Sequence, residues 1–307
     1  MPHRRKILLL GAFAASAVVC ASLLAAISWT WLGRPPWGRT VLEGPISEGQ
    51  RRLAFDGVDR NADWKPVLRR IGGLDMTLVP AGCFTMGSTD AQLAEAQDSC
   101  DRFYGAGRCR HDFASSEQPA HEVCFRRPFW IGLTEVTNEE YGSSSSTDEV
   151  TMYRGPAWPR ETVTWDQAHQ YCTSFGMRLP TEAEWEYASR GPDERIYPWG
   201  DGFDLGLVVS GRLMPEVVGL LEQGASWVAA LDLSGSIEEW VYDKLGPYVA
   251  EAQVDPSGPE QGSLRITRGG SWFSFAAFFL RSAYREPHDP EYASSVVGFR
   301  CARDFGG

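Results

Sequence analysis

The sequence predicts an α+β domain with little regular secondary structure for its size, preceded by one transmembrane helix. Three observations predict it. An uncharged apolar run fills residues 7–27, directly behind a basic cap. Beyond it, short strand-like stretches alternate with short helices that open on capping-box signatures, separated by loops rich in Gly, Pro and Ser. Of the seven cysteines, all but Cys20 lie beyond the apolar run and none forms a CxxC, which reads as a disulfide framework in an exported domain.

The run ILLLGAFAASAVVCASLLAAI would span roughly 30 Å as a helix, the thickness of the hydrocarbon layer. His3, Arg4, Arg5 and Lys6 stand in front of it. A basic cap before the first apolar run holds the N-terminus in the cytoplasm and sends the rest across. Residues 1–6 then form a cytoplasmic tail and 7–32 a single-pass anchor in the inner (cytoplasmic) membrane, with the C-terminal domain in the periplasm or outside the cell. The competing reading is a cleaved signal peptide ending near Ala15-Ser16-Ala17. The apolar run continues past that triplet to Ile27, which favours the anchor. Val19 is too large to precede a lipoprotein cysteine at Cys20.

The formal charge is −11, and about −14 without Arg4, Arg5 and Lys6. No long basic stripe follows. The exported part is therefore matched neither to nucleic acid nor to an anionic bilayer surface, and the acidity serves solubility first.

Residues 33–73 read as a stalk and lead-in. Pro35, Pro36, Gly38, Gly44 and Pro45 break regular structure, and the stretch around Arg51 and Arg52 suits a brief helix. The domain proper is placed at 74–307. MTLVPAGCFTMGS reads as strand, corner, strand; residues 89–120 read as an irregular surface excursion stapled by Cys100 and Cys109; HEVCFRRPFWIGLTEVTNEEY reads as strand, strand and helix start, with Thr137 and Glu140 as a capping box. Four cysteines allow three connectivities; if Cys100 pairs with Cys109, Cys83 is left for Cys124 on a neighbouring strand. The close His–Cys pairs, His111 with Cys109, His121 with Cys124 and His169 with Cys172, support a zinc site poorly.

Thr164–Phe175 is a helix with Thr164 and Gln167 as its capping box and Cys172 on its apolar face. Cys301, in the C-terminal strand VVGFRCARD, is the partner that would lock this helix. RLPTEAEWEYASRG is the central helix, opened by Thr181 and Glu184 and stopped by Gly191 and Pro192; two turns are unstable alone, so the surrounding chain must clamp it. In LDLSGSIEEWVYD, Asp232, Glu238, Glu239 and Asp243 crowd a Gly-Ser turn; composition alone favours a solvated acidic turn, with calcium as the alternative. ITRGGSWFSFAAFFLRSAYR follows. Its phenylalanines read chiefly as core, with Arg281 and Arg285 as basic groups at the rim of a pocket.

MTLVPAGCFTMGS, FWIGLTEVTNEEY, WDQAHQYCTSFGMRLPTEAEWEYASRG, YPWG, LSGSIEEW, RGGSW and VVGFRCARD together resemble the sulfatase-modifying-factor family, which includes the formylglycine-generating enzymes, from about Leu74 to Asp304. The resemblance implies a variant C-type lectin fold and the same Cys172–Cys301 pairing. Formylglycine-generating enzymes oxidise a substrate cysteine with copper held by two cysteines just after the GGS motif; Ser274 and Phe279 fall at those positions here. A hydroxyl and a phenyl ring are not the soft thiolates Cu(I) prefers, so neither copper nor the standard activity is expected. Another branch uses iron held by three histidines, and no H-x₃-H spacing is present, so iron is not expected either. The resemblance further implies calcium held by the Asp232 side chain, the carbonyls of Gly235 and Ile237, and Glu239, although Ser236 and Glu238 depart from the usual Asn and Trp.

Three functions compete. The favoured one is a non-catalytic exported module that recognises a protein or small molecule outside the cytoplasm. The second is an enzyme of divergent chemistry maturing an exported protein or small molecule, with Ser271, Trp272, Ser274, Arg281, Tyr284, Arg285 and His288 as pocket candidates; His288-Asp289 is the sole nearby histidine for Ser-His-Asp logic. The third is a structural subunit of a membrane complex.

Overall fold

The structure, a computed structural model, describes residues 46–107, 114–142 and 151–306. The apolar run, its basic cap and Cys109 lie outside the described residues.

Five α-helices are described: α1 (Glu48–Asp56), α2 (Asp90–Tyr104), α3 (Asn138–Tyr141), α4 (Trp165–Ser174) and α5 (Glu182–Arg190). Each opens on a complete capping box, from Ser47, Thr89, Thr137, Thr164 and Thr181 respectively. Helices this short have little cooperative stability, so their starts must be written locally. Thr181 accepts from the Glu184 N–H at 3.2 Å, and Glu184 accepts from the Thr181 N–H at 2.9 Å. Thr181→Ala should lower unfolding stability by about 1 kcal/mol, read from urea denaturation; an unchanged midpoint would show that tertiary clamps alone hold α5.

The strands form three small sheets. One has the order β1 (Leu68–Ile71), β2 (Leu74–Val79), β5 (Phe129–Gly132), β11 (Ala302–Asp304), all antiparallel. A second runs β10 (Val297–Phe299), β6 (Glu238–Lys244), β8 (Arg265–Arg268), β9 (Arg285–His288), with β10 parallel to β6. The third is β3 (Gly82–Met86), β4 (His121–Phe125), β7 (Gln253–Val254). This is a mixed α+β architecture in which α5 is the hub. All nine of its residues are buried, with Trp185, Tyr187 and Ala188 fully inside the main core.

Two sequence expectations are corrected. The folded unit starts upstream of residue 74: α1 buries Ala54 in the core, and β1 pairs with β2 through the two-residue Gly72-Gly73 turn, where both glycines have positive φ. Residues 89–120 are not wholly irregular, because α2 occupies fifteen of them; Thr89 and Gln92 carry the start signal, and the polar composition of the helix masked it.

Two disulfides cross-link the body. Cys83 and Cys124 face each other in the β3–β4 register, and Cys172 on α4 bonds Cys301 beside β11 with Cα atoms 5.6 Å apart. Cys100 is also disulfide-bonded, and the proposed partner Cys109 falls outside the described residues.

Candidate functional site

The Gly269–His288 segment leaves β8 through two glycines at φ +94° and +66°. A Cβ on Gly270 would meet the Phe279 carbonyl at 2.7 Å, so glycine is what lets the two ends of the segment close on each other. Ser274 caps its own turn: its Oγ accepts from the Ser271 N–H at 3.0 Å, and its N–H donates to the Ser271 carbonyl at 2.9 Å. Trp272 is buried and donates from Nε1 to the Ser295 carbonyl at 3.2 Å. Phe279 packs its ring against Phe278 and edge-on to Tyr284. The two positions that the resemblance aligns with copper thiolates thus hold a turn-capping hydroxyl and a packed ring.

The basic candidates are structural clamps rather than free cations at a rim. Arg281 is buried and bidentate to the buried Glu117, at 2.7 and 2.8 Å. Arg285 is buried and bidentate to Glu182 on α5, at 2.6 and 2.9 Å. Arg268 lies fully inside, between Glu182 and Glu186, and Arg190 also reaches Glu186, at 2.7 Å. Arg268 and Arg285, distant in sequence, and Arg190, four residues from Glu186 on α5 itself, therefore surround two carboxylates of α5, and no sequence pattern points to the two long-range partners. The Tyr284 hydroxyl donates to Glu286, and burial pushes its phenol well up. His288 places Nε2 3.1 Å from Glu238 Oε2 and stacks on Tyr292. Its hydrogen-bond partner is a carboxylate and not a serine, so Ser271, Ser274 and His288 are not assembled as a nucleophile and base.

Asp243 also belongs to the α5 clamp. It is buried and accepts from the Glu182 N–H at 2.8 Å, and burial, reinforced by the Glu182 charge, pushes its carboxyl up to about 8. The folded chain then keeps a proton that the unfolded chain releases above its ordinary value near 4, so stability should fall as pH rises from about 4 to 8. Asp243→Asn, which retains an acceptor for that N–H, should come closest to wild type near pH 4 and exceed it by a growing margin up to pH 8.5. Thermal melts across this range check it, and parallel curves would refute it.

The acidic turn divides in the structure. Glu238 serves Thr267 and His288, and Asp243 serves α5, so neither joins Asp232 and Glu239. Gly235 and Ser236 have positive φ; a Cβ on Gly235 would meet the Val209 carbonyl at 2.4 Å. Glu239 is fully buried and bidentate to Arg300, at 2.5 and 2.6 Å, and also accepts from Trp185 Nε1 at 2.9 Å. Asp232 accepts from the Gly219 N–H, and burial pushes its carboxyl up to about 6. Beside it lies Glu135, which no sequence motif singles out. It is buried and neither carboxylate oxygen has a hydrogen-bond partner. Burial, with the charges of Asp232 and Glu239, pushes it well above the carboxylate range. Two orphaned oxygens beside a second strained carboxylate suit a hard cation. Glu239 is already committed to Arg300, and no group of three or more His, Cys, Asp or Glu is arranged to hold a metal among the described residues.

A cavity of about 340 Å³ opens between α2, the 196–203 turn and the 277–283 segment. Its floor includes Phe278 and the ion-paired Arg190 and Arg281. Tyr197 is buried in its wall; burial is the main cause that pushes its phenol up to about 12, with the Glu95 charge adding to it and Arg281 opposing. Of the predicted pocket residues, Arg281 lines this cavity, while Ser271, Trp272, Ser274, Tyr284, Arg285 and His288 do not.

Comparison with known proteins gives a consistent outcome. The family described as the sulfatase-modifying factor enzyme 1-like domain matches residues 67–305. The chain is 37% identical over 264 residues to the formylglycine-generating enzyme of Streptomyces coelicolor, covering 62% of this chain and 82% of that one. It is 28% identical to the formylglycine-generating enzyme of Bos taurus, over 75% of this chain and 74% of that one. Among solved structures, Treponema denticola variable protein 1 superimposes with a TM-score of 0.60 at 20% identity, covering 78% of this chain and 99% of that one, a likeness of fold.

Proposed function

The chain belongs to the family of the sulfatase-modifying factor enzyme 1-like domain, and on that premise we propose that it is a membrane-anchored, extracytoplasmic member that does not generate formylglycine and instead binds a protein or small molecule. The carrying observation is chemical. The family likeness places the copper thiolates at Ser274 and Phe279, where this chain has a hydroxyl that caps its own turn and a ring packed on Phe278 and Tyr284. Every cysteine among the described residues is disulfide-bonded, so no thiol is at hand to replace the pair. The basic candidates Arg281 and Arg285 are likewise consumed by Glu117 and Glu182, which supports a scaffold more than a reaction centre.

The finer reading is a variant C-type lectin fold whose apolar residues 7–27 hold it at the inner membrane with the domain outside the cytoplasm. Calcium belongs to this reading. Asp232, Glu135 and the carbonyls of Gly235 and Ile237 would hold it, and its charge would relieve two buried carboxylates that lack a cation of their own, Glu239 being neutralised by Arg300.

The test uses the detergent-solubilised chain. Titration with Cu(I) and incubation with a cysteine-bearing peptide should give neither stoichiometric tight binding nor aldehyde product by mass spectrometry. Stoichiometric copper with turnover of the peptide would overturn the reading. In parallel, calcium at a hundred times its dissociation constant should raise stability by about 2.7 kcal/mol, and Glu135→Gln should abolish that gain; equal melting with calcium and with chelator would remove calcium from it.

A further inference from the structure

We propose that the cavity between α2 and the 196–203 turn binds a small zwitterion with an apolar body, a free amino acid being the simplest such molecule. The proposal deepens the reading of the domain as a binding module and rests on it. At about 340 Å³ the cavity falls within the range of small-ligand sites.

The two sides of the cavity differ in kind. One is aromatic: Tyr197 and Phe203 have ring centroids 5.5 Å apart, and Phe278 completes the surface. The other is the inward stripe of α2, where Gln92, Glu95, Ser99 and Arg102 recur at helical spacing. A helix that packs on a domain normally presents an apolar stripe there. On α2 only Ala96 and Cys100 are buried, against Ala276 and Phe278, and the rest of the facing stripe is polar over open space.

The charges narrow the ligand. In the floor, Arg281 is paired with Glu117, and Arg190 shares Glu186 with Arg268. Glu95, Asp201 and Arg102 also line the cavity, and no described residue forms an ion pair with them. Glu95 and Arg102 are two helical turns apart, roughly 10 Å along the axis, so opposite charges face the cavity from separate ends of one helix stripe. Glu95 lies near enough to Tyr197 for its charge to act on the phenol, which puts a carboxylate and an aromatic face together at one end, the pairing that favours an ammonium group. Arg102 at the other end suits a carboxylate. A ligand with one charge would satisfy one end and desolvate the other. A zwitterion satisfies both, and its apolar body covers the rings.

Calorimetry on the solubilised chain with three probes tests this: phenylalanine, phenethylamine, which lacks the carboxylate, and 3-phenylpropionate, which lacks the amine. Phenylalanine should bind at one site per chain, and each single-charge probe should bind more weakly, by up to about fivefold, the upper range for one exposed ion pair. Glu95→Gln should weaken phenylalanine and phenethylamine while sparing 3-phenylpropionate, and Arg102→Gln should do the reverse for the two analogues. Both positions are exposed on α2, so neither substitution removes a core contact. Absence of phenylalanine binding, or equal affinity for all three probes, or indifference of binding to both substitutions, would overturn the proposal. These outcomes are separate from the copper and thiol assay: a negative result there together with no phenylalanine binding rejects the ligand class alone.

Discussion

Arg281→Met is expected to destabilise the protein by about 3–5 kcal/mol, the range for breaking a buried ion pair from one side. Arg281 is 5% exposed and Glu117 is fully buried, so neither group draws on solvent. The guanidinium supplies two of the hydrogen bonds to Glu117, and the third comes from Ser88 Oγ at 2.5 Å. Removing the cation leaves a buried carboxylate with a single hydroxyl partner. Glu117→Gln in the Arg281→Met background should recover much of the loss, because the uncompensated charge is then gone. Urea denaturation of the two single variants and the double variant measures the coupling. A loss below 1 kcal/mol in Arg281→Met, or equal losses in the single and double variants, would show that Arg281 is not the neutralising clamp of Glu117. The result also bears on function, because it separates a scaffold arginine from one held ready for substrate.

The second large effect concerns the disulfide between α4 and the C-terminal strand. Cys172 and Cys301 lie 129 residues apart in sequence, and on the loop-entropy relation their bond contributes about 5 kcal/mol. The same relation gives about 4 kcal/mol for the 41-residue separation of Cys83 and Cys124. The paired substitution Cys172→Ala with Cys301→Ala should therefore cost more than Cys83→Ala with Cys124→Ala. The difference should be amplified because the first pair sits in the main core, Cys172 at 0% and Cys301 at 1% exposure. Chemical denaturation of the two double variants, each with the other bond intact, gives the order directly. A larger loss for the Cys83–Cys124 variant would mean that native packing, and not loop closure, sets the contribution of these bonds.

How far the sequence could be read depended on the range of the interaction. Capping boxes are three-residue signals, and those at Thr137, Thr164 and Thr181 were legible as written. The box at Thr89 is equally local, but α2 buries only Ala96 and Cys100 and so carries almost no apolar stripe to announce a helix behind it. The Cys172–Cys301 bond matches the pairing that the family resemblance implies, whereas Cys83–Cys124 was one of several connectivities open to the sequence, and the pairing of β3 with β4 decides it. The charged groups behaved differently. Arg281 and Arg285 looked like rim cations from composition, while the structure brings Glu117 to Arg281 across 164 residues and Glu182 to Arg285 across 103. No periodicity links such positions.

By itself, then, the sequence determined the family scaffold, the starts of most helices, and the lack of thiols at Ser274 and Phe279. These are properties of residue identity and of neighbours a few positions apart. Only the tertiary structure decided which arginine neutralises which carboxylate, that Glu135 stands orphaned beside Asp232, and that a polar face of α2 lies over an aromatic-walled cavity. Burial is what gives those charges their consequences, and burial is set by how distant segments pack around α5, a quantity that no local pattern carries.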